Sequence, residues 1–314
     1  MSTVKVNTNI KATAVIIGGT GLIGIWISKA FLTDFRSAFP TVRITTRDVN
    51  SPKARELAAL GAELYSFDDS LDAVLNGADV VVNTLPTHIP ATDGKKIITA
   101  VAASAAKVYF MSEFGGDYAL NDFPGYEHAE WQVKREIAKD THAAMPDKKV
   151  IALIAGLFLG ACFNSPYAPL MGLDVKGNAY RSLGPATTRF TASAEIDVGR
   201  AVARLAVLAL DPATAARVPG TVRLAPNTTS LAELADAAAR VRGVPRGAVE
   251  EEDLGAFKQA LSERPADYNL GDYLRVLLGE GKLDFSANND NELINPGQSL
   301  WKWKTVEDEI REVA

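Results

Sequence analysis

The chain has 314 residues, of which 47% are hydrophobic, and its formal net charge is −5. This composition is typical of a globular protein with a large buried core, and it excludes an intrinsically disordered chain. The acidic balance and the lack of a Lys- and Arg-rich stretch disfavour nucleic-acid binding. A single cysteine, Cys162, excludes an intramolecular disulfide and a cysteine-rich metal site, and the scattered histidines give no support for bound zinc.

The sequence contains no segment that predicts membrane insertion or export. Residues 1–11 are polar and lack the apolar core of a signal peptide. The longest apolar run, 151–163, is too short and too interrupted by glycine to span a bilayer. We therefore expect a cytoplasmic protein with no membrane partner.

The first predicted element is an apolar strand, 14–17, that runs into a glycine-rich turn and then into a helix. Such a unit presents backbone N–H groups to a phosphate. Gly18 would allow the bend, Gly21 would let a pyrophosphate approach the backbone, and Gly24 would let the helix lie close to the sheet. The G-x-x-G-x-x-G spacing matches extended and atypical short-chain dehydrogenases. We expect dinucleotide contacts from this turn, at Gly18, Thr20, Gly21, Leu22, Ile23 and Gly24.

The second predicted strand, 41–47, ends on residues that help to choose between dinucleotides. A protein that binds NAD usually places Asp or Glu there, where the carboxylate accepts from the ribose 2′-OH. Here the strand ends on Thr46 and Arg47. The planar guanidinium suits a 2′-phosphate, so the sequence favours NADP(H) as the cofactor. Asp48 keeps NAD open as an alternative, because its carboxylate could serve as the ribose acceptor.

Strands and helices then alternate along the chain with short connections. Further strands are predicted at 62–67, 79–84, 107–111 and 150–155, with helices at 70–76, 94–104 and 126–140. This alternation predicts an α/β fold with a Rossmann-type doubly wound parallel sheet. We expect residues 1–155 to form the NAD(P)-binding domain, with segments around 190–225 returning to it, and 156–314 to form mainly a smaller α/β substrate-binding lobe.

The second half of the chain has a different character. Prolines and glycines between residues 163 and 185 predict a long loop with little regular structure, of the kind that often contacts substrate. Beyond it, helices are predicted at 194–210, 230–242, 253–261, 268–278 and 305–313, a strand at 220–224 and a loop at 287–297.

The catalytic pair of the classical short-chain dehydrogenases is absent. Those enzymes use a Tyr and a Lys that follows it by four residues. In this chain Glu130 stands four residues before Lys134, and Tyr126 stands eight before it. A different group must therefore handle protons if this chain is an enzyme.

Residues 111–117, Met-Ser-Glu-Phe-Gly-Gly-Asp, resemble the P-S-E-F-G-x-D signature of the isoflavone reductase-like, NmrA-like family. This family includes phenylcoumaran benzylic ether and pinoresinol-lariciresinol reductases. The glycine turn, Arg47, residues 80–86 and residues 131–134 are similar to further family segments. Met111 and Pro86 depart from the usual proline and glycine, and the similarity thins after about residue 160.

The resemblance implies a catalytic role for Lys134, as a general acid or base beside the nicotinamide; a solvated helix lysine is the alternative. It also implies cofactor contacts at the ends of the later strands, from Thr84, Leu85, Pro86, Ser112, Glu113, Phe114 and Phe158. For Glu113, Phe114 and Phe158 a purely structural role stays open.

The implied activity is NADPH-dependent reduction of a small aromatic or conjugated metabolite, of the kind found in secondary metabolism. The alternative is a non-catalytic, NADP(H)-sensing regulator, in which the nucleotide would only shift a conformational population. The glycine turn serves both functions, whereas Lys134 favours the enzyme. The oligomeric state stays open, with a homodimer as one alternative.

Overall fold

The computed structural model describes residues 4, 8–120, 128–164, 168–169, 171–264 and 270–313. Its strands are β1 (Thr13–Ile17), β2 (Thr41–Thr46), β3 (Glu63–Ser66), β4 (Val80–Asn83), β5 (Val108–Phe110), β6 (Lys149–Ile154), β7 (Leu157–Phe158), β8 (Leu173–Asp174), β9 (Ala179–Leu183), β10 (Arg189–Ser193), β11 (Thr221–Arg223), β12 (Asn227–Ser230) and β13 (Val249–Glu252). Its helices are α1 (Gly24–Leu32), α2 (Pro52–Ala59), α3 (Leu71–Leu75), α4 (Ala91–Ala103), α5 (Ala129–Ala144), α6 (Leu159–Asn164), α7 (Glu195–Leu210), α8 (Leu231–Arg242), α9 (Leu254–Ser262), α10 (Leu270–Gly279), α11 (Asn291–Ile294) and α12 (Val306–Val313). Within these ranges, no helix combines the length and the apolar character needed to cross a membrane.

Seven of these strands form one sheet in the order β3–β2–β1–β4–β5–β6–β11, and every neighbouring pair is parallel. The strand order reverses between β1 and β4, as in a doubly wound Rossmann-type sheet. This confirms the predicted fold class. Because the strands are parallel, their carboxyl ends lie along one edge, and the segments that follow β1, β2, β4, β5 and β6 meet there.

Helices cover both faces of this sheet. Along β1, Ala14 and Ile16 pack with α1 and α7 on one face, whereas Val15 and Ile17 pack with α3 and α4 on the other. All four side chains are fully buried. Burial on both faces explains why β1 is almost continuously apolar rather than alternating.

A second, smaller α/β lobe follows β6 and has its own core. In it, β10 lies between β7 and β12, and β9 lies between β8 and β13. Tyr180 of β9, Phe190 of β10 and Tyr273 of α10 are buried in this core, which also includes side chains of α8 and α12.

Parts of the second half of the chain return to the first core. A Cβ at Gly199 of α7 would lie 2.5 Å from the Trp26 carbonyl oxygen of α1, so these two helices are in close contact. Strand β11 extends the large sheet beside β6. Trp301 and Trp303 pack edge to face in the same core, with ring centres 5.0 Å apart. The functional division at residue 155 stays a prediction.

The prediction of little regular structure over 163–185 is wrong for part of that segment. Strands β8 and β9 pair antiparallel, with Leu173 opposite Tyr180. In the turn between them Asp174 accepts the Gly177 N–H at 2.7 Å, and Asn178 has φ of +56°. The predicted loop at 287–297 likewise contains α11. Such short elements contain too few residues for a periodic pattern to show.

Two helix starts illustrate how local capping fixes the boundaries. Ser230, the residue before α8, accepts the Glu233 N–H at 3.2 Å. Asp253, the residue before α9, accepts the Ala256 N–H at 2.6 Å. These contacts are the usual function of an N-cap. The predicted starts at 126 and 268 lie outside the described residues.

Candidate functional site

The glycine turn after β1 is held in shape by its neighbours. Gly18 has φ of +80°, and its N–H donates to Thr45 Oγ1 at 3.1 Å. Thr84 Oγ1 lies 2.8 Å from the Ile17 carbonyl oxygen and 2.9 Å from that of Gly18. A Cβ at Gly24 would lie 2.3 Å from the Gly18 oxygen, so the start of α1 packs directly on the turn. The bend at Gly18 and the close packing at Gly24 follow from these contacts.

Backbone N–H groups at the start of α1 are available to a ligand. In the described part of the chain, the amides of Thr20, Leu22 and Ile23 have no protein acceptor. The Gly21 N–H returns to the Gly18 carbonyl at 2.9 Å, and the Leu22 side chain is 63% exposed. Unpaired amides at a helix N-terminus favour an anionic group such as a phosphate.

The end of β2 lies beside this turn. Thr46 Oγ1 is 2.8 Å from Thr20 Oγ1, which ties the two segments together. Arg47 is exposed and forms no side-chain hydrogen bond or ion pair with any residue that the structure describes. The Asp48 carboxylate accepts the Asn50 N–H at 2.8 Å and thereby shapes the turn into α2. Arg47 therefore has no ion-pair partner among the described residues, whereas one oxygen of Asp48 bonds within its own loop.

The segment after β4 links the glycine turn to β5. The Leu85 side chain covers Gly18, because its Cδ2 lies 2.8 Å from where a Gly18 Cβ would be. Its carbonyl accepts from Ser112 Oγ at 2.7 Å. Pro86 is exposed. The following Thr87 Oγ1 donates to Glu130 Oε1 at 2.9 Å and so connects this segment to α5.

Lys134 lies against the segment that follows β5. Its Nζ donates to the Ser112 carbonyl oxygen at 2.9 Å and to Glu113 Oε2 at 3.0 Å. The side chain of Lys134 is 19% exposed and that of Glu113 only 4%. The cation is therefore partly shielded from water and held by a buried carboxylate.

The electrostatic surroundings of Glu113 are unusual for a carboxylate. Burial raises its pKa, the Lys134 ammonium opposes that rise, and the carboxylates of Glu130 and Asp117 add to it. Burial, reinforced by the charges of Glu113 and Asp117, also raises the pKa of the Tyr118 phenol to about 12. The region thus contains three carboxyl groups near one lysine, and Asp117 is itself paired with Arg223 at 2.5 Å.

Helix α5 places Lys134 where the two lobes meet. His128 caps the helix, with Nδ1 accepting the Glu130 N–H at 3.3 Å. The Trp131 ring packs edge-on against His128 and Tyr273, at centre distances of 5.0 Å and 4.8 Å. Further along the helix, Ala138 packs against the Rossmann sheet. Packing into both cores fixes the rotation of α5 and therefore the direction of the lysine.

The two phenylalanines of the predicted site lie differently. Phe114 is 5% exposed and packs in the first core, which supports a structural role. Phe158 lies on β7 opposite Ser193 and is half-buried against the same core. The backbone brings β7 near β5, because the Ala155 N–H donates to the Gly115 carbonyl oxygen at 3.2 Å.

Hydrogen bonds and side-chain packing thus connect most of the predicted site residues with one another. Arg47, Pro86 and Phe158 lie at the same sheet edge. Among the described residues, no side-chain hydrogen bond joins Arg47 to the other predicted site residues. Sequence reasoning missed the Thr87–Glu130 contact and the pairing of Glu113 with Lys134. The first joins residues 43 apart in sequence, and neither residue type by itself indicates a partner at that distance.

Comparison with known proteins relates the chain to plant enzymes. Residues 10–246 match the NmrA-like family. The chain is 31% identical over 171 residues to eugenol synthase 2 of Clarkia breweri, covering 51% of this chain and 52% of that protein. It is 32% identical over 140 residues to a phenylcoumaran benzylic ether reductase of Betula pendula, covering 42% and 45%. The chain therefore spans about half the length of the curated relatives it matches.

A solved structure extends the likeness to the whole fold. The binary complex of leucoanthocyanidin reductase with NADPH from Vitis vinifera has a TM-score of 0.72 to this chain. The match covers 96% of this chain and 99% of the other at 18% sequence identity, so what it shows is a shared fold.

Proposed function

Because the chain belongs to the NmrA-like family, we propose that it is an NADP(H)-dependent reductase of a small aromatic or conjugated metabolite. The names of its relatives, a eugenol synthase and a phenylcoumaran benzylic ether reductase, support this class of substrate. The observation that carries the proposal is the position of Lys134. Its Nζ donates a hydrogen bond to the Ser112 carbonyl oxygen, at the same sheet edge as the glycine turn.

The residues at this edge fit a phosphorylated dinucleotide. The unpaired amides of Thr20, Leu22 and Ile23 would hold the pyrophosphate, and the close approach allowed by Gly21 leaves room for it. The guanidinium of Arg47 would hold the 2′-phosphate. When bound, NADPH supplies a hydride to the substrate.

Lys134 would complete the reduction as a general acid. The substrate carbon gains the hydride, and the electron pair that this displaces collects on a substrate oxygen. The Lys134 ammonium donates a proton to that oxygen, so the product carries one hydride and one proton more than the substrate. Because the side chain is 19% exposed, the resulting amine can regain its proton from water.

The second lobe, mainly residues 156–314, would supply most of the substrate contacts. Trp131 and Tyr273 show that α5 packs on the core of this lobe, so Lys134 lies at its boundary with the Rossmann sheet. Ligands of doubly wound proteins bind beyond the carboxyl ends of the strands, on this side of the sheet. A homodimer and a cytoplasmic location stay predictions.

Replacement of Lys134 tests the proposal. The variant Lys134→Met keeps the length of the side chain and removes the proton donor, so turnover should fall by about 100-fold or more. The NADPH affinity should stay within about twofold, since Lys134 is not expected to bind the phosphates. Turnover is measured as NADPH consumption with a panel of enones, quinones and phenolic benzylic ethers.

The matched control is Lys139→Met, on the same helix but exposed to solvent. It should leave turnover unchanged. If wild-type protein binds NADPH and reduces none of these acceptors, the reductase proposal fails in favour of a nucleotide-sensing regulator. If Lys134→Met retains full turnover, the role of Lys134 is wrong.

A further inference from the structure

Lys134 forms an ion pair with Glu113, a contact that proton donation by a lysine does not by itself require. An ammonium has three N–H donors. Two of them are used by the Ser112 carbonyl oxygen at 2.9 Å and by Glu113 Oε2 at 3.0 Å. One donor is left, and two fixed bonds restrict the direction in which it can point. Lys134 is therefore oriented before any ligand arrives.

Glu113 depends on this contact in turn. Its side chain is 4% exposed, and a carboxylate so far from water is costly unless a cation and hydrogen bonds compensate it. Lys134 supplies the hydrogen bond and the ion pair that the described residues give to this carboxylate. The cation of Arg223 is bound to Asp117 instead, at 2.5 Å.

We propose that Glu113 is a positioning residue, whose buried carboxylate holds the Lys134 ammonium in a fixed direction so that Lys134 meets the substrate as a proton donor. This rests on the proposed function, and it gives Glu113 a different role from a cofactor contact. Loss of the contact with Lys134 would leave the Glu113 carboxylate buried without a cation. The charge of Lys134 is in turn balanced within the protein.

Turnover should depend on pH through the groups that surround Glu113. Burial raises the pKa of Glu113, so its carboxylate is lost, and the pair with it, as the pH falls through that raised value. Turnover of wild-type protein should therefore decline on the acid side. The titratable and charged groups that interact with Glu113 are Tyr109, Asp117, Tyr118, Glu130 and Lys134, and Arg135 interacts with Tyr118.

The pairing can be tested without cofactor or substrate. An acetylating reagent reacts with an amine that has left its ion pair, so its rate at Lys134 reports how firmly Glu113 holds that side chain. We expect Glu113→Gln to raise the rate at Lys134 relative to Lys139 by about tenfold at constant pH, because the amine is no longer held in an ion pair by the buried carboxylate. Peptide mass spectrometry of the full chain gives both rates from one sample. The matched control Glu136→Gln, which replaces an exposed glutamate of α5, should leave the ratio unchanged.

Kinetics then test the consequence for the reaction. With NADPH and a quinone acceptor, Glu113→Gln should lower kcat by about tenfold or more, leave the KM for NADPH unchanged and abolish the acid-side decline. Glu113→Asp keeps the charge and should restore part of kcat. This variant also decides the matter if Glu113→Gln does not fold, as judged by circular dichroism.

The outcomes separate the two proposals. An unchanged acetylation ratio in Glu113→Gln overturns the pairing. A raised ratio with unchanged kcat overturns the proton-donor role. If wild-type protein reduces no acceptor, the reductase function fails, and a raised ratio still supports the control of Lys134 by Glu113.

Discussion

Arg47 and Lys134 are the two cations that we propose for the site, and they differ in whether a described residue pairs with their charge. Lys134 is paired with Glu113, whereas Arg47 is exposed and has no partner among the described residues. A charge that the protein does not balance is available to a ligand. An arginine placed beside a helix N-terminus is suited to the 2′-phosphate of NADPH.

The substitution Arg47→Ala should weaken NADPH binding selectively. Loss of charge-assisted hydrogen bonds costs about 1.5–3 kcal/mol, or roughly 10–150-fold in Kd. The affinity for NADH, which lacks the 2′-phosphate, should change by less than about twofold. Titration of both nucleotides by protein fluorescence gives these values. An exposed arginine far from the site, Arg217→Ala, serves as the control, and equal losses for both nucleotides would contradict the assignment of Arg47.

Single residues of the site were predictable where a local signal exists. The glycine spacing alone predicted the bend at Gly18 and the close packing at Gly24, because both follow from backbone geometry within a few residues. The role of Lys134 could be predicted only from the family resemblance, because an isolated lysine on a helix does not indicate a function. Its contact with Glu113 spans 21 residues and depends on the rotation of α5, which is set by packing that a sequence pattern does not contain.

At the level of elements, helix α1 depends on having no side chain at its first position. A Cβ at Gly24 would lie 2.3 Å from the Gly18 oxygen and 2.7 Å from Thr84 Oγ1. Gly94 in α4 is different, because the nearest atom to its Cβ position is Ile89 Cδ1 at 4.0 Å. The two glycines therefore form a matched pair for substitution.

We expect Gly24→Ala to lower the free energy of unfolding by about 1–3 kcal/mol, because the added methyl group overpacks the turn. Gly94→Ala should raise it by about 0.5–1 kcal/mol, since alanine loses less conformational entropy in a helix. Urea unfolding measures both. NADPH binding should be lost only in Gly24→Ala. Equal stability of the two variants would show that α1 can move away from the turn.

An element of this chain is predictable from sequence when its apolar run is long. Strands β1, β4 and β6 are buried on both faces and appear as near-continuous apolar segments, so their existence was predicted with boundaries within about two residues. Strands β7 and β8 have two residues each, too few for any periodicity. Their pairing is determined by distant partners such as β10 and β9.

For the molecule as a whole, Asp197 of α7 connects the Rossmann core to the C-terminal segment. Its Oδ2 accepts the Lys304 N–H at 2.8 Å, and Arg200 lies 3.8 Å from its other oxygen. The side chain is fully buried, and burial raises its pKa to about 7, although Lys304, Arg200 and Trp301 oppose the rise. A carboxyl group whose folded pKa exceeds its unfolded one stabilises the protein at low pH, and this contribution is lost as the pH rises through the folded value.

Stability should therefore fall between pH 5 and pH 8 by about 2–3 kcal/mol from this group. Asp197→Asn should remove that part of the slope, because the amide can still accept from Lys304 and carries no charge. Urea unfolding of both proteins at the two pH values measures the difference. Asp236→Asn, an exposed aspartate, should leave the slope as in wild type. A slope that persists in Asp197→Asn would refute the assignment to Asp197.

Trp301 and Trp303 lie in the core that the first 155 residues begin to form. Strand β11, the outermost strand of the large sheet, also comes from the second half of the chain. A nascent polypeptide that has left the ribosome only as far as β6 therefore exposes an open sheet edge and an apolar helix surface. We therefore expect the first 155 residues to complete their core only after these distal segments have emerged from the ribosome.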